Sequence, residues 1–89
     1  MTRTTLSIEN EKGLHARASA RFVEVVEAFE ASAQVTRDGM TVSGDSIMGL
    51  LMLAASRGTT IEVETSGTQA AELSVALAAL VADRFGEDR

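Results

Sequence analysis

Eighty-nine residues leave room for a single domain, residues 1–89, built on one core. At 45% hydrophobic but only 3% aromatic, that core must consist of aliphatic side chains and alanine around Phe22, Phe29 and Phe85. A net charge of −5, with the eight Lys and Arg scattered, argues against a nucleic-acid partner. Cysteine is absent, so there is no disulfide framework or thiolate chemistry, as suits a reducing cytoplasm. Met1-Thr2-Arg3-Thr4-Thr5 lacks the apolar run of a signal peptide, and the longest apolar block, Ile47 to Ala55, is too short for a bilayer. A cytoplasmic protein without membrane insertion is expected.

The first element is a strand over Thr4–Ile8, where Leu6 and Ile8 share one face. Glu9 to Gly13 reads as a loop. From Ala16 to about Phe29, apolar residues recur at Ala18, Phe22, Val25/Val26 and Phe29, which is helical spacing with Glu24 and Glu27 on the wet side. Two short strands follow, Ala33–Arg37 and Thr41–Val42. Asp38-Gly39 between them is a hairpin signal, because it tolerates positive φ.

Ser43 to Ser46 precede a short helical block, Ile47–Ala54, which is apolar nearly all round. Leu50 and Leu53 are assigned to its core side; Ile47, Met48, Leu51 and Met52 cannot all face inward on so short a helix, so some of them are expected to form an exposed apolar patch. Thr60–Thr65 alternates as a strand with Ile61 and Val63 inward. The last helix is expected from Gln69 to about Phe85, with an inner stripe of Leu73, Leu77, Leu80, Val81 and the stem of Arg84; Gly86–Arg89 is expected to fray. The order β-α-β-β-α-β-α predicts an α+β open-faced β-sandwich. Its four-stranded, mostly antiparallel sheet would carry three helices on one face.

The chain has one histidine, in the run Gly13-Leu14-His15-Ala16-Arg17-Ala18-Ser19-Ala20. It stands where a glycine-led turn gives way to a helix. Free amides and a partial positive charge at a helix start favour an anion such as phosphate. An imidazole with a pKa near ~6.5 is largely an unprotonated nucleophile at neutral pH. First-turn amides at Ala16 and Arg17, and the Arg17 guanidinium, could then grip phosphoryl oxygens. The bland alternative is a surface histidine that ends a loop. No second histidine or cysteine completes a metal shell, and no cofactor motif appears. Ser46 stands where its hydroxyl would cap the helix that follows. Alternatively, a phosphate added there would sit at the helix dipole beside the apolar patch.

The run from Gly13 to Ala20 resembles the active-site signature of the HPr family, histidine-containing phosphocarriers of the bacterial phosphoenolpyruvate-dependent phosphotransferase system. Ser46-Ile47-Met48-Gly49-Leu50 resembles that family's regulatory-serine helix, in the matching order and separation. The resemblance implies that His15 accepts a phosphoryl group on Nδ1 from enzyme I and passes it to an EIIA-type protein, with Arg17 stabilising the phosphate. It implies that an HPr kinase/phosphorylase modifies Ser46. It further implies a docking face of Leu14, Ala16, Ala20, Arg21, Ile47, Met48 and Leu51. Such a protein would be a covalent intermediate rather than an enzyme, and a monomer.

Two features depart from the sugar-transport branch: Ala18 stands where proline is usual, and the exposed face of the first helix, often lysine-bearing in that branch, presents Glu24 and Glu27. Both are similar to the nitrogen-related regulatory branch, the NPr type. The competing reading is a binding module controlled by Ser46 phosphorylation; a small-molecule-binding regulatory domain has fold analogy alone behind it.

Overall fold

The computed structural model describes residues 1–88. Strands β1 (Thr2–Ser7), β2 (Ser32–Arg37), β3 (Met40–Ser43) and β4 (Thr60–Ser66) are interleaved with helices α1 (Ala16–Glu27), α2 (Ile47–Met52) and α3 (Ala70–Ala82). A short 3-10 turn, Arg84–Gly86, follows α3. The sheet order is β1-β4-β2-β3, and each of its pairings is antiparallel. This is the expected α+β open-faced sandwich, with a wholly rather than mostly antiparallel sheet among the described residues.

Alternation decides which face of the sheet is covered. Leu6, Ile8, Ala33, Val35, Ile61 and Val63 are buried, and they pack with Phe22, Val26, Leu73 and Leu77 from α1 and α3 in one core. The other face is polar and open, and there Arg3 reaches Glu64 at 2.8 Å and Thr36 pairs with Thr41 at 2.8 Å. Asp38 (φ 50) and Gly39 (φ 81) both adopt left-handed backbone in the β2–β3 turn, as a two-residue hairpin requires.

The helix ends differ from expectation for local reasons. α1 stops at Glu27, where Ala28 and Phe29 turn their amides to carbonyls three residues back. α2 stops at Met52, and Ala54 enters left-handed backbone (φ 51). α3 stops at Ala82, not Phe85. Arg84 (φ 56) and Phe85 (φ 55) reverse the chain there, so Phe85 is fully buried while Arg84 is exposed. The expected inward stem of Arg84 is therefore wrong, and Leu80 is only half-buried beside a buried Val81.

The largest correction concerns the tail. Gly86 and Glu87 do not fray, because their amides bond the carbonyls of Asp83 and Arg84 at 3.0 and 2.9 Å. The expectation of fraying at Arg89 lies outside the described residues.

Candidate functional site

The histidine's position follows from the loop before it. Gly13 has φ +65, and a Cβ there would lie 2.5 Å from the Ala55 carbonyl oxygen and 2.8 Å from the Ser56 Cα. Only glycine permits that approach. Leu14 then donates its amide to the Ala55 carbonyl at 2.8 Å and buries its side chain, at 4% exposure. Leu14 belongs to the core. It anchors the turn and offers little surface to a partner, contrary to its expected docking role.

With its neighbour pinned, His15 takes the N-cap position of α1 in extended backbone (φ −79, ψ −175). Its side chain makes no capping bond, and 26% of it is exposed. The first-turn amides, including those of Ala16 and Arg17, have no acceptor within the helix and face the cap. Ser19, buried one turn on, donates its hydroxyl to the Leu14 carbonyl at 3.3 Å and so has a structural role.

An open cleft of about 590 Å³ surrounds the ring, lined by Lys12, Arg17, Arg21 and the returning tail. Arg17 and Arg21 lie one helical turn apart, on the same side of α1. Arg17 joins no salt bridge among the described residues, which leaves its guanidinium available to an anion in the cleft. An imidazole nucleophile, free helix amides and three cations together suit an incoming phosphoryl group.

One residue of the cleft is not singled out by the sequence: Glu87. Its carboxylate accepts a hydrogen bond from His15 Nε2 and a second, at 3.0 Å, from the Asn10 side-chain amide. Burial pushes the Glu87 carboxyl up. The hydrogen bonds from Asn10 and His15 and the charges of His15 and Lys12 more than offset this and hold it below its ordinary value. An ionised carboxylate only accepts, so the proton must be on Nε2, and in the neutral ring the lone pair is on Nδ1. The signal available in the sequence was Phe85. It is one of three aromatics in an aromatic-poor chain, too large to leave in water, and its burial brings Glu87 back to the ring.

The serine motif lies in a second region. The Ser46 hydroxyl caps α2, accepting from the Gly49 amide at 3.0 Å. Beyond it Ile47, Met48, Leu51 and Met52 are exposed, Met48 to 72%, while Leu50 and Leu53 are buried as expected. Ala16 and Arg21 are exposed on α1, and Ala20 is half-buried. α2 packs against α1, and the segment after α2 holds the Gly13–Leu14 turn, so patch and histidine are structurally continuous.

Residues 2–83 match the family described as PTS HPr component phosphorylation site. The chain belongs to the HPr family. A phosphocarrier HPr of Neisseria meningitidis serogroup A is 46% identical over 87 residues, covering 98% of both chains. The phosphocarrier NPr of Escherichia coli is 36% identical over 85 residues, covering 94% of both. Among solved structures, HPr-C-His from Thermoanaerobacter tengcongensis covers all of both chains with a TM-score of 0.95 at 35% identity. An HPr dimer from that organism covers 98% of this chain and 100% of its own, with a TM-score of 0.77 at 36% identity. Membership makes this an HPr-type phosphocarrier of the phosphotransferase system. His15 and Arg17 lie within the matched residues, whereas Glu87 lies beyond them. No helix among the described residues is long and apolar enough to cross a membrane.

Proposed function

We propose that His15 accepts a phosphoryl group on Nδ1 from phosphorylated enzyme I and delivers it to an EIIA-type protein. The chain is then an intermediate worked on by its partners, not an independent catalyst, and it acts as a cytoplasmic monomer. The observation that carries this reading is the partly exposed ring at the start of α1. Its Nε2 is engaged by Glu87, and Arg17 and Arg21 line the cleft around it. Ala16, Ala20, Arg21, Ile47, Met48 and Leu51 make up the docking face. Its exposed methionine suits transient contacts with more than one partner.

The role is regulatory, of the nitrogen-branch type, rather than bulk sugar uptake. Support comes from Ala18 and from the exposed Glu24 and Glu27 on α1, which would repel an acidic partner surface. Ser46 is the site of regulatory phosphorylation by an HPr kinase/phosphorylase. A phosphate there would add about two charges beside the apolar patch.

Incubation with phosphoenolpyruvate and a cognate enzyme I tests the carrier function. Acid-labile, base-stable phosphate should appear and should be lost in His15→Ala. Phosphate appearing only with ATP and a serine kinase, on Ser46, would instead favour a docking module.

A further inference from the structure

A carrier is useful only if its cargo leaves when asked, and the group placed to influence that departure is Glu87. Resting on the phosphocarrier reading for its biological meaning, we propose that Glu87 is a positioning residue. It keeps the proton on His15 Nε2, so that Nδ1 both takes up the phosphoryl group and releases it readily.

The chemistry follows from electron counting. In loading, the Nδ1 lone pair forms a bond to phosphorus while the donor's bond to phosphorus breaks, its electron pair staying with the donor. The ring then carries phosphorus on Nδ1 and hydrogen on Nε2, and is cationic. In discharge, an acceptor lone pair takes the phosphorus, and the Nδ1–phosphorus pair returns to Nδ1. What leaves is a neutral imidazole, and no ring proton moves. Without the hydrogen on Nε2 the leaving group would be an imidazolate anion, which is far poorer. A carboxylate against Nε2 favours the protonated ring in the loaded state.

The carboxylate is itself held rigidly. Asn10 is fully buried, and its amide nitrogen donates to the Gly13 carbonyl at 2.7 Å and to Glu87 at 3.0 Å. Both neighbours accept, so the amide cannot turn round. Its oxygen is left buried with no partner among the described residues, a costly arrangement. On the other side, buried Phe85 fixes the tail two residues before Glu87. The remaining charged groups of the cleft are Glu11, Lys12, Arg17, Arg21 and Asp88. Among the described residues, Glu87 is the one group that accepts a hydrogen bond from the ring.

The test needs no partner protein. Wild type and Glu87→Gln are loaded chemically with phosphoramidate, and the phosphohistidine is followed by ³¹P and ¹⁵N NMR across pH. In wild type the phosphoryl group should sit on Nδ1. Its hydrolysis in Glu87→Gln should be about three- to tenfold slower near about pH 8.5, as fits a lost charge-assisted bond. The two rates should converge near about pH 5, where the ring is protonated without help. Superimposable pH profiles, a change by one factor at every pH, or phosphoryl on Nε2 in wild type would each overturn the proposal. Failure to load from phosphoenolpyruvate and enzyme I, with the pH profiles as expected, would count against the carrier function and leave the role of Glu87 standing.

Discussion

At Gly13 the absence of a methyl group decides where the imidazole stands. Gly13→Ala must place Cβ 2.5 Å from the Ala55 carbonyl oxygen in left-handed backbone, and the neighbours are main chain that cannot yield. We expect a loss of about 2–4 kcal/mol in urea unfolding. A change under about 0.5 kcal/mol would show that the turn relaxes freely. Glu87 makes a second prediction at this scale. Its folded carboxyl is depressed below the ordinary 4.5, so it contributes stability above that pH and loses it as the pH falls through the folded value. The stability gap between wild type and Glu87→Gln should therefore be full at neutral pH and shrink below about pH 4.5. A gap independent of pH would remove the ionised contact.

Among the elements, α2 is the least able to stand alone: six residues cannot pay for helix nucleation without a cap and a packed face. Ser46→Ala should cost about 1 kcal/mol by removing the bond from the Gly49 amide. Ser46→Asp keeps an acceptor at the cap, so its stability should stay within about 0.5 kcal/mol of wild type. Its charge beside Ile47 and Met48 should still weaken binding to enzyme I roughly tenfold, or about 1.4 kcal/mol. Calorimetric titration showing equal affinities would separate this helix from the docking face. Element types were readable because they rest on near neighbours: two-residue alternation in β1 and β4, helical spacing from Ala18 to Phe29, and Asp38-Gly39 between β2 and β3. Helix ends were less readable. Arg84 and Phe85 continue the apolar pattern of α3, yet they leave the helix because Phe85 finds its burial by turning back. The left-handed backbone at each costs about 1–2 kcal/mol, which burial of a phenylalanine, worth about 1.5–3 kcal/mol, helps to offset.

For the molecule as a whole, the −5 charge matters through its distribution. Lys12, Arg17 and Arg21 line the cleft together with the carboxylates of Glu11, Glu87 and Asp88, while Glu24 and Glu27 occupy the exposed side of α1 farther along, outside the cleft lining and its cations. Reversing both glutamates to lysine should change stability by under about 0.5 kcal/mol, since neither is buried. It should change the association rate with enzyme I about three- to tenfold at low salt, an effect lost at high salt. Stopped-flow rates that ignore both the reversal and the salt would place the docking contacts elsewhere. The strands, the helices, the single histidine at a helix start and the capped serine were legible in the order of residues, because each depends on neighbours a few positions apart. That Leu14 is core, and that Glu87 closes on a ring 72 residues away, emerged from the folded chain alone. A contact at that separation depends on how the whole core closes around Phe85 and Asn10, and no local pattern encodes it.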